Sequence, residues 1–297
     1  MKKIISYLII VLVIGLLVFV IFKISKKDND KINDDTTKTV PTTKEEITIS
    51  TNTTTTTTST TTTKTTSTTK KTTTTTKVNN PAKLTGTTSK GYDIEYKDGA
   101  YYIGGYLIAN KTYQLERNWE PTNTHKKITA SMDGFCQECI DKEAYNAWSQ
   151  MRADASSIGY NMWIQSGYRS YDYQKDLYNG YVKRKGQAAA DKSSARPGSS
   201  EHQTGLAFDI CVKDATGTYP CISSAFNDTA PAKWLAANAY KYGYILRYPS
   251  GKTDETGYIH ESWHFRYVGK DLASKLYNDG DWITMEDYFG IDSKYSN

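Results

Sequence analysis

The sequence predicts an α+β domain carried behind an apolar leader and a polar tether. Three observations carry that prediction. Nineteen uncharged residues, Ile4–Phe22, open the chain; residues 51–76 contain 20 threonines; and from about Lys90 onward short helical and strand periodicities alternate between turns. The boundaries expected from composition are an N-terminal anchor at 1–28, an unfolded Thr-rich linker at 29–89, and one folded domain at 90–297.

The leader, IISYLIIVLVIGLLVFVIF, is long enough to cross a bilayer, because about 20 apolar residues span the hydrocarbon as a helix with every backbone polar group bonded internally. The competing reading is a cleaved signal peptide, which would have a shorter apolar core followed by small residues. Here Phe22 is followed by Lys23, Ile24, Ser25, Lys26 and Lys27, which favours the uncleaved anchor. Lysines flank both ends, so charge alone does not set the orientation. The threonine tract offers hardly any apolar surface to offset chain entropy and reads as a solvated tether. Its reach lies between roughly 40 Å as a coil and roughly 180 Å extended.

Charge divides by position. The whole chain has a formal charge of +5, but residues 91–297 carry 23 basic and 26 acidic side chains. The basic surplus belongs to the leader and tether, which excludes a basic nucleic-acid-binding domain. Four cysteines, Cys136, Cys139, Cys211 and Cys221, permit three pairings. Their spacing is poor for a structural zinc site, and behind an anchor an oxidising exterior favours two local bridges, Cys136–Cys139 and Cys211–Cys221.

Within the folded part, Tyr92 to Ala109 alternates and is broken at Asp98-Gly99 and Gly104-Gly105, predicting a hairpin. Ala144, Trp148, Met151 and Ala155 recur at three- and four-residue spacing, predicting a helix over Ile140 to Ile158 that stops at Gly159. Met162, Ile164 and Ser166 read as a strand, and Tyr171 to Lys185 as a second helix ending at Gly186. Leu206, Phe208, Ile210 and Val212 alternate with Ala207, Asp209 and Cys211, so Asp209 faces away from an apolar row. A third helix is expected over Ala230 to Tyr242, and strands over Tyr244 to Leu246 and Trp263 to Val268.

Histidine chemistry must come from four residues, at 125, 202, 260 and 264. His202 and Asp209 stand seven apart with Gly205 between them, and Glu261 precedes His264 by three. Two imidazoles and one carboxylate form a three-ligand catalytic zinc set, and a further acid nearby can take a proton from water. Taken as spacing alone, the pair of motifs is ambiguous, because a lone His or Asp at a strand end is more often a hydrogen-bonded structural residue. His125 and His260 read as surface or supporting residues.

The strings Ser166-Gly167-Tyr168-Arg169-Ser170, then Gln174 and Leu177-Tyr178, then Ser194 through Glu201-His202-Gln203-Thr204-Gly205 to Asp209, and finally Glu261-Ser262-Trp263-His264-Phe265-Arg266, occur in one order in one chain. This set resembles the VanY-type D-alanyl-D-alanine carboxypeptidases over roughly residues 105–285. The resemblance implies the small antiparallel sheet with flanking helices shared with VanX-like dipeptidases and the hedgehog signalling domain. It also implies a zinc (Zn2+) peptidase acting on peptidoglycan stem peptides, through Glu-assisted attack of zinc-bound water. Carried over residue by residue, His202, Asp209 and His264 would bind zinc, Glu261 would be the general base, and Arg169 would stabilise the oxyanion. Ser200 and Gln174 would help hold the terminal D-alanine carboxylate, and Trp263 would wall the pocket. Arg196 is a further candidate for a cationic end to the cleft.

Two positions depart from the family's pattern. Ser262 stands where Pro is common, which loosens the turn before His264, and Cys211 sits two residues past Asp209, where a free thiolate would approach the metal. The expectation for the whole chain is a monomeric, single-pass membrane protein with its catalytic domain outside the cell, touching no nucleic acid. An endopeptidase using the same metal site, or a wall-binding module without catalysis, are the alternatives.

Overall fold

The computed structural model describes residues 83–296. The expected anchor at 1–28 and the expected linker up to residue 82 lie outside the described residues. Among the described residues no helix is long and apolar enough to cross a membrane. Strand pairing is present before residue 90. Strand β1 (Gly86–Thr87) pairs antiparallel with β2 (Asp93–Lys97), and the Ser89 hydroxyl donates to the Gly290 carbonyl at 2.9 Å.

Where one hairpin was expected there are two. β2, β3 (Ala100–Ile103) and β4 (Tyr106–Ile108) form a meander, giving a four-stranded sheet in the order β1-β2-β3-β4. The two linking turns place Asp98 and Gly99, then Gly104 and Gly105, all at positive φ. That backbone matches the twist of flanking strands in two-residue turns and explains why Asp-Gly and Gly-Gly stand there.

After β5 (Phe135–Cys136), helix α1 (Lys142–Ser157) begins at Asp141, whose side chain accepts from the Glu143 and Ala144 backbone N–H groups. Its buried stripe is Ala144, Ala147, Trp148, Met151 and Ala155, the predicted set with one addition. This stripe lies on the main sheet: the Trp148 ring meets Phe208 edge-on, with centroids 5.1 Å apart. Trp148 is 2% exposed, so its replacement by Ala costs about 3–5 kcal/mol.

The chain continues through β6 (Asn161–Ser166) and β7 (Tyr168–Arg169) to α2 (Tyr171–Lys185), which is capped by the Ser170 hydroxyl. Helix α3 (Gln187–Ser193) was not expected; Gly186, at positive φ, turns the chain and a new helix follows at once. Then come β8 (Ala207–Asp214), β9 (Gly217–Thr218), α4 (Ala230–Asn238) with a tighter turn over Ala239–Tyr242, and β10 (Tyr244–Tyr248). A single turn, α5 (Thr253–Thr256), precedes β11 (Glu261–Tyr267), and the chain closes with α6 (Lys270–Tyr277) and α7 (Met285–Phe289).

The main sheet runs β10-β11-β8-β6, all antiparallel, with β9 beside β8; β5 and β7 form a separate pair. Both faces of β8 are covered, and every residue from Ala207 to Val212 is buried. The bonds Cys136–Cys139 and Cys211–Cys221 are both present, so Cys211 carries no free thiolate beside Asp209. The architecture is α+β.

Candidate metal centre and active site

Strand register assembles the site. β11 pairs with β8 so that His264 lies directly opposite Asp209, and directly paired residues project from the same face of a sheet. Phe208 and Phe265, one residue along, point the other way into the core. The alternation expected around Asp209 therefore also delivers His264 from 55 residues away. His202 arrives from the other side, on a short turn over Glu201–Thr204 that ends at Gly205, whose φ of 70° lets the backbone reverse into β8.

His202, Asp209 and His264 are all buried, and one donor atom from each lies within 4.8 Å of the other two. The His264 Nδ1 is 3.1 Å from Asp209 Oδ1, and the His202 Nε2 is 3.5 Å from Asp209 Oδ2. The tautomer of His202 follows from its other nitrogen. Nδ1 lies 2.7 Å from the Gly167 carbonyl, which can only accept, so Nδ1 carries the proton and Nε2 keeps its lone pair. Gly167 is required there, because a Cβ at that position would come within 2.1 Å of the Gln137 carbonyl oxygen. His202 Nε2 is buried and has no hydrogen-bond partner among the described residues. An orphaned imidazole lone pair beside a carboxylate and a second imidazole fits a divalent cation of the zinc type.

The electrostatics agree. Burial, then the positive charge of Arg169, push the His202 imidazolium down to about 4, so this ring is neutral and ready to donate its lone pair. His264 behaves oppositely: burial opposes its charging, but hydrogen bonds to Asp209 and Glu201 overcome that and raise it to about 9. Asp209 is held well below the ordinary carboxylate range, its burial outweighed by the two histidines. The surroundings thus favour positive charge between Asp209 and His264, which is where a cation would sit.

Glu261 opens β11. Its Oε2 is 3.8 Å from His264 Nδ1, and burial, reinforced by the charge of Asp209, raises its carboxyl to about 7. An acid near 7 beside a cation site is suited to taking and returning protons at neutral pH. Arg169 lines the same cleft, half-buried, and its Nε has no hydrogen-bond partner among the described residues. Ser200 and Trp263 line it too; Trp263 also belongs to the main core, so it is wall and packing at once.

Gln174 lines the cleft in a different chemical state from the one expected. Its Nε2 donates to the Ala195 carbonyl at 2.8 Å, leaving Oε1 buried and unpartnered. The free group is an acceptor, which suits a substrate N–H and does not suit a carboxylate. Arg196 is occupied: its Nε and Nη2 donate to the two Asp191 oxygens at 3.0 and 2.8 Å. His125 is exposed and stacked on Tyr145, and His260 bonds the Tyr248 carbonyl; neither joins the cluster. Ser262, at the position where Pro is common, donates to Asn227 Oδ1 at 2.8 Å and so ties β11 to the loop before α4 by a hydrogen bond.

Sequence reasoning gave no role to Glu201, Arg247, Arg266 or Glu286. Glu201 stands immediately before His202, but nothing local says that its side chain reaches His264 or that two buried arginines meet it.

Two imidazoles, an aspartate, a half-buried glutamate and an unpaired arginine around one cleft are the groups a metal-assisted hydrolase would use. Known proteins narrow the class. The family described as VanY, D-alanyl-D-alanine carboxypeptidase, matches residues 137–270. The chain is 42% identical to YodJ of Bacillus subtilis over 203 residues, covering 66% of this chain and 72% of YodJ. It is 38% identical to a D-alanyl-D-alanine carboxypeptidase of Enterococcus faecalis over 222 residues, 72% of this chain and 74% of the relative. Among solved structures, the L,D-carboxypeptidase DacB from Streptococcus pneumoniae superposes with a TM-score of 0.54 at 34% identity, over 69% of this chain and 98% of DacB. The chain belongs to the VanY family of D-alanyl-D-alanine carboxypeptidases and is a peptidase, a hydrolase.

Proposed function

We propose that this protein is a zinc-dependent carboxypeptidase that removes the terminal D-alanine from peptidoglycan stem peptides. The observation that carries the reading is the convergence of His202 Nε2, Asp209 and His264 Nδ1 on one point, with Glu261 beside it and raised to about 7. Zinc held by these three residues would supply Lewis-acid polarisation of the scissile carbonyl and of the attacking water.

The remaining steps belong to side chains. Glu261 accepts the water proton as the water oxygen attacks the carbonyl carbon, and returns it to the amine nitrogen as the C–N bond breaks, leaving free D-alanine and a peptide shorter by one residue. Arg169 places fixed positive charge where the oxyanion grows, and its lack of an internal ion pair among the described residues leaves it available for that task. Gln174, lining the cleft with its Oε1 unpartnered, would serve as an acceptor for a substrate N–H, and Ser200 lines the same cleft with a hydroxyl. The expected anchor at 1–28 and linker at 29–89 would hold this domain on the outer face of the membrane, where stem peptides are found.

Similarity to an L,D-carboxypeptidase favours a second substrate form, in which an L-configured centre precedes the scissile bond. Both forms are separated by one experiment. The full chain with zinc, given defined tetrapeptide and pentapeptide stems, is expected to release D-alanine from at least one, with release abolished by chelation and by amidation of the terminal carboxylate. Activity untouched by chelation would overturn the metal mechanism. Cleavage of the amidated peptide would point to an endopeptidase.

A further inference from the structure

The ring edge of His264 opposite the cation position opens onto a buried charge network. Glu201 is 2% exposed, and its Oε2 lies 3.4 Å from His264 Nε2. Its Oε1 accepts from Arg247 Nε at 2.8 Å and from Arg266 Nη1 at 3.0 Å. Arg247 is gripped in turn by Glu286 of α7, with Nη1 to Oε2 at 2.8 Å and Nη2 to Oε1 at 2.7 Å. Asn110, in the loop after β4, donates to Glu286 Oε1 at 3.0 Å. The Leu107 carbonyl accepts from Arg266 Nη2 at 2.6 Å. None of Asn110, Glu201, Arg247, Arg266 and Glu286 is more than 2% exposed.

Stability alone does not call for this cluster. Four buried charges carry a large desolvation penalty, and apolar side chains of equal volume are often as stable or more so. What an apolar filling would lack is direction. A metal-ligating histidine needs its second nitrogen bonded to an acceptor so that ring angle and tautomer are set. Glu201 is the acceptor His264 faces, and the two arginines leave its carboxylate one orientation. The supporting members come from outside the family-matched span of 137–270, since Asn110 and Leu107 precede it and Glu286 follows it.

We propose that Glu201 is the positioning residue for His264, and that Glu286 and Asn110 set Glu201 through Arg247, so that the C-terminal helix α7 is a working part of the metal centre. This rests on His202, Asp209 and His264 being the metal ligands. The test is zinc affinity of the full chain, measured by competition with a chromophoric chelator, which reads the site without turnover.

Glu286→Gln is expected to weaken zinc binding by about 10-fold or more and to lower kcat with KM little changed. Asp287→Asn, on the same helix but paired with the exposed Lys90, is the control expected to leave zinc binding as it was. Because Glu286→Gln leaves Arg247 short of a partner, the double variant Arg247→Met with Glu286→Leu removes both charges; it too is expected to bind zinc about 10-fold more weakly or worse while folded. Folded variants with wild-type zinc affinity overturn the assignment of Glu201 and α7. A wild-type chain that binds no zinc overturns the metal-site reading instead.

Discussion

The two walls of the cleft differ in how far the protein satisfies its own polar groups. On one wall His264 and Glu201 are buried and bonded to each other, with Arg247, Arg266 and Glu286 bonded behind them. On the other wall Arg169 Nε and Gln174 Oε1 have no partner among the described residues. Buried polar groups are normally paired, so a wall that is fully bonded is built for rigidity, and a wall with free valences is built for a ligand. His202 Nε2 stands between them, oriented by Gly167 yet unpartnered at the edge facing Asp209. In this cleft the unpartnered Arg169, Gln174 and His202 atoms mark where a substrate and a cation would complete the bonding.

The comparison breaks most sharply at Glu261, which is expected to act without holding the metal. Glu261→Gln should lower kcat by roughly 10²–10⁴-fold while zinc content, read by elemental analysis, stays near stoichiometric. Loss of zinc together with activity would make Glu261 a ligand. On the free-valence wall, Arg169→Met should lower kcat/KM by roughly 10²–10³-fold with the thermal midpoint unchanged, because no internal ion pair is lost. A large drop in that midpoint would show that Arg169 is structural.

The acid at the junction also has a stability signature. A carboxyl raised to about 7 in the fold from an ordinary value near 4.5 binds a proton that the unfolded chain has released, so metal-free stability falls as pH rises from about 4.5 to 7. Glu261→Gln removes that loss, and denaturant titrations of the zinc-free protein should show the variant more stable at pH 7 by about 2–3 kcal/mol. Equal slopes of stability against pH would contradict it. In the active enzyme the same group predicts a kcat/KM that rises with pH through its acidic limb. Smallest of all, Gln174→Leu frees the Ala195 carbonyl and removes an acceptor from the cleft. About 1–2 kcal/mol of stability and a several-fold rise in KM are expected from melts and steady-state kinetics.

Much of the fold was legible from periodicity. The stripe on α1 and the bounds of α2, Tyr171 to Lys185 before Gly186, appear where the residue pattern put them. The misses have local causes. Helix α3 follows a glycine that ordinarily ends a helix, and α6 and α7 are short amphipathic segments stabilised by tertiary packing more than by propensity. Gln174 was legible as a cleft residue, but whether its amide faces substrate with N–H or C=O depends on Ala195, 21 residues away.

By itself the sequence determined the chemistry available: two histidines, an aspartate and a glutamate in ordered motifs, on strands whose two-residue period names the inward face. It also set the division of charge, but left three cysteine pairings open, of which folding selected the two local bridges. Only the tertiary structure settled which nitrogen of each ring faces the candidate cation site, that Glu261 is raised while Asp209 is held low, and that Glu286 is linked to His264 through Arg247 and Glu201. The reason is physical: side-chain periodicity is a local property of the backbone, whereas proton affinity and ring orientation depend on dielectric and on partners that only folding brings within a few ångströms.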